Sequence, residues 1–400
     1  MDEPVAGPPT SPEGAPDRAT SNRRDIAPLL IGYWGFGQFW GVWVILVSDF
    51  QAFHGINDSR MGLYYTLLSV TAVSVMAFLA PHLQRFDLST SVPLCLMTLS
   101  VGSLVMAAQP SSAILVGIIL VGMGNGLIDV YLNVAAQRVE IRSGKPVLQW
   151  MHACYALGGI TGAAVAGLTL TAGMDYRVGL LFAGVALACT SVVASRLLPK
   201  EGVGGSVETS FSITALFRNK TLWVPALVVL SAFLVEGSMD TWSGRYLRVE
   251  LGATAGVAAL VFIAFSAALL LGRLFAGRVL FGLGPRATIL VAGFGAAIGG
   301  AIAAITDSAT VVACAYLLMG FTIAAAAPAG FSLVNVPDED ATNAIAAVST
   351  VGYTGFIWSP PILGWVADTF SLRASVTVIV IATLGIVVGG MLAPKVVVRR

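Results

Sequence analysis

The residues of this chain that could do chemistry are the few ionisable side chains lying inside long apolar runs. The clearest is Asp129, in the stretch Gly122-Met123-Gly124-Asn125-Gly126-Leu127-Ile128-Asp129-Val130-Tyr131-Leu132-Asn133. Asn125, Asp129 and Asn133 are spaced i, i+4, i+8, which puts three polar groups on one face of a helix. A carboxyl group within an apolar helix is costly and marks a functional position unless a partner holds it. Its natural chemistry is to gain and lose a proton. The alternative is an aspartate fixed by an interhelical hydrogen bond, and Gly122, Gly124 and Gly126 would let neighbouring backbones come close enough for that.

A second group lies in Gln149-Trp150-Met151-His152-Ala153-Cys154-Tyr155, where Gln149 and His152 share a face. The small residues from Gly158 to Gly167 follow it. His152 is read either as lining a central cavity or as a satisfied packing residue. A third group is Glu236 and Asp240, one turn apart in Phe233-Leu234-Val235-Glu236-Gly237-Ser238-Met239-Asp240-Thr241-Trp242. Arg245 and Arg248 follow as candidate ion partners for these acids. Gly237 weakens a helix at this point, so the segment reads as a gate that bends or as the amphipathic outer end of a helix. Asp49, Asp58 and Asp175 at outer helix ends, and Glu140, Arg142, Asp338, Glu339 and Asp340 at inner ends, are read as solvated.

Enzymatic constellations are missing from the sequence. There is no HExxH, no Ser-centred elbow with a histidine partner, and only three histidines in all. The glycine-rich stretches sit inside apolar runs, so no nucleotide loop is formed, and no cofactor is expected. The four cysteines fall singly in apolar segments with no metal-ligand spacing and are read as packing residues. A formal net charge of +1, without basic clusters beside aromatics, gives no nucleic-acid footprint.

The elements that must position these residues follow from composition. Of 400 residues 56% are apolar and 11% charged, with 44 glycines and a mean hydropathy of +0.85. Soluble domains carry about 25% charge, so a water-soluble enzyme is excluded and a lipid bilayer is the expected solvent. Uncharged runs predict twelve transmembrane helices at 27–49, 61–80, 91–108, 112–139, 147–172, 177–197, 221–248, 253–279, 286–305, 309–333, 342–367 and 373–393. With both termini inside, Arg60, Arg177, Arg245, Arg248 and Arg373 fall outside and the other 17 Lys and Arg fall inside. The expected class is an all-α polytopic membrane protein of two six-helix halves. Residues 1–25, with five prolines, form a disordered cytoplasmic tail. The N-terminal half is 26–198, a cytoplasmic linker 199–220, the C-terminal half 221–394 and a cytoplasmic tail 395–400. Such 6+6 chains hold their site between the halves near the midplane.

Two motifs carry a family resemblance. Gly272-Arg273-Leu274-Phe275-Ala276-Gly277-Arg278, followed by Gly284-Pro285-Arg286, resembles the Gly-x-x-x-Gly-Asp-Arg…Gly-x-Arg loop signature of the major facilitator superfamily, departing from it at Ala276 and Gly277. The first-half counterpart, Ala80-Pro81-His82-Leu83-Gln84-Arg85-Phe86-Asp87, is more degenerate. Gly124-x-Gly126-x-x-Asp129-x-x-x-Asn133 is similar to the fucose permease group, whose acid at this place is the protonation site of a sugar/proton symporter. Gln149 and His152 fall where that group has polar substrate contacts. The stretches from Val235 to Leu247 and from Ala344 to Pro361 are similar to a bacterial branch of the group.

The resemblance implies an alternating-access transporter of the bacterial inner membrane, with Asp129 as proton carrier. Asn125, Asn133, Gln149, His152, Tyr155, Glu236, Trp242 and Tyr353 would line the substrate cavity, and Asp240, Arg273 and Arg278 would gate it. The expected partners are a small-molecule substrate and a proton, and the expected working unit is a monomer. An acid of the fucose permease first helix has no counterpart in the apolar stretch Trp40 to Leu46, so sugar recognition does not carry over. Trp40, Trp43, Tyr64, Tyr65 and Tyr353 would stack on a solute or anchor helix ends at the interface. Two other readings stay open: a proton-antiport exporter of drugs or metabolites, and a non-transporting sensor or membrane assembly partner.

Overall fold

The computed structural model describes residues 23–394 apart from 84, 85, 109, 110, 144–146, 199 and 201–213. Most of the predicted tails and linker, and Arg85, therefore lie outside the described residues, as do the side chains of Asp338, Glu339 and Asp340. Twelve long helices account for the fold among the described residues. They are α1 (Arg23–His54), α2 (Asp58–Leu79), α3 (Leu88–Ala107), α4 (Ser111–Ser143), α5 (Val147–Thr171) and α6 (Tyr176–Leu197) in the first half. The second half holds α7 (Trp223–Arg245), α8 (255–283), α9 (285–305), α10 (Ala309–Phe331), α11 (Asp338–Thr369) and α12 (Leu372–Leu392).

Each of these is long enough for a bilayer about 30 Å thick. The side chains that face away from the bundle are apolar, with Phe78, Leu168, Phe281 and Ile305 more than two-thirds exposed, as lipid contact requires.

The chain departs from the predicted spans at three places. The expected loop between the eighth and ninth spans is a single residue: helix continues from Ala255 to Ile305 and breaks only at Gly284, whose φ of 76° suits glycine. Pro285 then opens α9, a position where its missing N–H costs nothing. The Gly272–Arg278 signature is consequently helical and forms the end of α8. Secondly, α1 runs past its predicted end to His54, so Asp49 belongs to its last turns. Thirdly, α7 does not bend at Gly237 but stays helical to Arg245 and ends in a π-helical turn, Tyr246–Glu250. Gly237 is instead a close-packing site, where an added Cβ would meet Phe356 and Ser359 of α11.

Helix ends follow ordinary capping chemistry. Asp175 caps α6, accepting from Arg177 N at 2.9 Å, and pairs with the Arg177 side chain at 2.5 Å. The hydrogen bonds from Arg177 hold this carboxyl at about 2, below the usual range. Glu140 turns to the next helix and accepts from Leu148 N at 3.0 Å, which caps α5 and corrects its reading as a solvated end.

The crossing that matters for the site is α1 on α5. A Cβ on Gly158 or Gly162 would strike the α1 backbone at Trp34, Gln38 and Val42, and one on Gly37 or Gly41 would strike Tyr155 and Gly159. Backbone meets backbone here, which is how small residues drive helix association in lipid. Gly162→Leu is expected to cost about 1–3 kcal/mol by overpacking, read as a melting temperature several degrees lower in detergent, whereas a leucine at Gly277, where an added Cβ meets nothing, leaves it unchanged.

Candidate functional site

Three faces of α4 explain how Asp129 is presented. Gly122 and Gly126 press on α2 at Leu68 and Ala72, and Gly124 presses on α3 at Cys95 and Leu99. The Asn125–Asp129–Asn133 face is left for α1. Trp40 donates its indole N–H to Asn125 at 3.1 Å. Tyr33 donates its hydroxyl to Asp129 Oδ1 at 3.5 Å. Asn133 Nδ2 donates to the same Oδ1 at 3.0 Å and to Asp129 O at 2.7 Å. The donors recorded on this carboxyl are thus neutral.

The tight α1–α5 crossing brings α5 side chains to the same place. Tyr33 stands edge-on to His152 at 5.5 Å and to Tyr155 at 6.4 Å between ring centroids, and Phe36 meets Tyr155 at 5.3 Å. The second half answers across the cleft. Arg273 of α8 donates to Glu236 of α7 at 2.9 Å, with 39% of its side chain exposed. Asp240 lies within electrostatic reach of both. Tyr155 lies within reach of Asp129, Glu236, Asp240 and Arg273 alike, and Tyr353 of α11 within reach of Asp129. Tyr353, Phe233 and Phe356 form an aromatic cluster with centroids 4.9–6.5 Å apart.

The two ends of the bundle differ around these residues. His152, Arg273 and Tyr353 are exposed, and Gln149 is exposed one turn nearer the end of the bundle where the chain enters α1 and leaves α12. At the opposite end the halves are tied. Arg245 of α7 pairs with Asp58 of α2, and Arg248 with Asp49 of α1. Gln51 donates to Asp58 Oδ1 at 2.9 Å. Asp368 of α11 accepts from the amides of Asp58 at 3.1 Å and Ser59 at 2.8 Å, capping α2 from across the molecule. Asp49 and Asp58 are therefore partners of the other half rather than solvated ends, and Arg245 and Arg248 serve them rather than Glu236 and Asp240.

Such a bundle of twelve long helices has known counterparts. A sequence model of the Major Facilitator Superfamily matches residues 29–360. The chain belongs to the major facilitator superfamily. Like other members it is a multi-pass membrane transporter of a small solute. An uncharacterised MFS-type transporter of Yersinia pestis is 26% identical over 336 residues, covering 83% of this chain and 86% of that protein. Among solved structures, a bacterial homologue of the human lysosomal transporter Spinster, inward-facing and unoccupied, aligns with a TM-score of 0.77 at 12% identity over 93% of this chain and 98% of that one. The fucose:proton symporter of E. coli aligns with a TM-score of 0.58 at 16% identity over 93% and 98%. These two likenesses establish the fold.

Within this transporter Asn125, Asp129, Asn133, His152, Tyr155, Glu236, Asp240, Arg273 and Tyr353 come together around the cleft. Arg273, expected in a gating loop, sits on a helix and pairs with Glu236. Trp242 does not reach the cleft: it is 3% exposed and packs against Tyr65 in the closed end. Arg278 is exposed, with its guanidinium over the Phe275 ring at 5.9 Å. Trp43, Tyr64 and Tyr65 are buried rather than anchored at an interface, and Trp43 donates to Tyr65 Oη at 3.0 Å.

Sequence reasoning missed Tyr33 and the ion pairs between the halves. Tyr33 had a signal, because Tyr33, Phe36, Trp40 and Trp43 form an aromatic stripe at helical spacing. The pairs had none, since Asp58 and Arg245 are 187 positions apart.

Proposed function

We propose that this transporter is proton-coupled and moves a small polar solute by alternating access through the central cleft, with Asp129 as the proton carrier. The observation that carries the reading is the setting of Asp129: a carboxyl within the bundle, held by the neutral donors Tyr33 and Asn133, at the junction of α1, α4 and α5. Neutral donors serve both protonation states, so the group can take up and release a proton without breaking an ion pair. Glu236, Asp240, Arg273, His152 and Tyr353 face the solute, and the ion pairs between α2 and α7 and between α1 and α7 close the far end.

The distribution of basic residues supports cytoplasmic termini, which makes the tied end external and the open end cytoplasmic. Bacterial relatives support the plasma membrane as the location, and the twelve helices of one chain suffice for a monomer to work. The test is reconstitution in proteoliposomes with an imposed pH gradient. A solute selected by thermal stabilisation is expected to accumulate against its own gradient, and a protonophore to abolish the accumulation. Uptake that ignores the pH gradient overturns proton coupling.

A further inference from the structure

We propose that the solute carries a protonated amine, bound between the α7 acids and the facing aromatic rings. This rests on the transporter reading of the same cleft and names the chemistry that the cleft selects.

Charge balance is the first observation. Asp129, Glu236 and Asp240 approach the cleft, and the guanidinium recorded within reach of Glu236 and Asp240 is that of Arg273. Glu236 already occupies that guanidinium through a direct 2.9 Å hydrogen bond. An anionic solute would have to displace Glu236 and then sit against Asp240, so the arrangement disfavours it. With all three acids ionised the group is two charges short of neutrality. A proton on Asp129 removes one of these charges. The other is left on the α7 pair, and uncompensated charge is expensive at this depth. A bound ammonium supplies the missing positive charge.

The aromatic walls are the second observation and are independent of the first. Tyr155, backed by the buried Tyr33 and Phe36, stands on the first half, and half-buried Phe233 and Phe356 with exposed Tyr353 form a cluster on the second. Ring faces attract cations and also accept the apolar body of a solute. The acids fix the charge and the rings fix the shape. A neutral polyol would leave the α7 charge uncompensated.

Matched trios of ligands test the proposal on the purified full-length protein. Glucosamine, glucose and glucuronate form one trio; phenethylamine, 2-phenylethanol and phenylacetate form another. Thermal stabilisation and equilibrium binding near neutral pH are expected to favour the amine in at least one trio. Asp240→Asn is expected to weaken that amine about 10- to 100-fold, the scale of one hydrogen bond to a charged group. Glu236→Gln releases Arg273 and is expected to move preference toward the carboxylate member. Preference for the neutral or anionic member in the wild type, or no stabilisation by either amine, overturns the proposal without needing a variant to fold. Uphill, pH-driven uptake of glucose or 2-phenylethanol would sink the amine inference and leave the transporter reading intact. Amine binding that never leads to gradient-driven flux would do the reverse.

Discussion

Neutralising Asp58 or Arg245 is expected to open the end of the bundle that these residues close. Asp58 and Arg245 are mostly shielded, with 9% and 15% of their side chains exposed, and they join α2 of one half to α7 of the other. Removing one partner leaves the other charge shielded and unpaired, which costs about 2 kcal/mol or more. That shifts the ratio of closed to open forms at this end at least about 30-fold.

The readout is distance. After replacement of the four native cysteines, spin labels at Met174 and Phe370, both more than half exposed beside loops of the tied end, report the separation of the halves. Arg245→Ala and Asp58→Asn are expected to lengthen the principal distance and broaden its distribution. The reversed pair, Asp58→Arg with Arg245→Asp, is expected to recover part of the closed population. Gln51 can assist there, because its Oε1 is buried without a donor and can accept from an arginine at position 58. Unchanged distances in both single variants would show that the Arg248–Asp49 pair and the apolar packing around Trp43, Tyr65 and Trp242 close this end without the Asp58–Arg245 pair. Asp368→Ala, which removes the acceptor of the Asp58 and Ser59 amides but leaves the Asn57 cap of α2, is expected to fall between wild type and the single variants, since a capping interaction contributes about 1 kcal/mol.

The same residues show why the sequence was legible in one direction and opaque in another. Helices, their number and the face bearing Asn125, Asp129 and Asn133 follow from local periodicity, because apolar run length and i+4 spacing are written in consecutive residues. The α8–α9 boundary was harder. The chain turns on Gly284 alone, and a single positive-φ glycine ahead of a proline is a weaker mark than a polar loop. Contacts between the halves could not be read at all. An aspartate near a helix end looks the same whether it pairs with an arginine two residues along, as Asp175 does, or with an arginine of the other half, as Asp58 does. Trp242 was misplaced for a related reason: its neighbours Glu236 and Asp240 face the cleft, yet two residues beyond Asp240 the helix has turned toward α2 and rises into the closed layer.

Asp129→Asn is expected to abolish uphill transport while sparing exchange. The substitution keeps the size of the side chain and can retain contacts to Tyr33 and Asn133, since an amide offers an oxygen to both donors. It removes the titration. A carrier locked in the neutral form can still cycle with solute bound, so counterflow of labelled solute is expected to persist within a few-fold of wild type. Accumulation driven by a pH gradient is expected to fall at least about 100-fold, to the level of empty liposomes, because solute movement is no longer linked to a proton. Tyr33→Phe makes the complementary case. It removes one neutral donor and leaves the carboxyl, so coupling should survive with a displaced pH optimum. The two variants separate the roles of the residues: loss of accumulation in Tyr33→Phe with its retention in Asp129→Asn would move the proton site off α4. Retention in both would place the coupling on the α7 acids, where Glu236 and Asp240 share a single arginine.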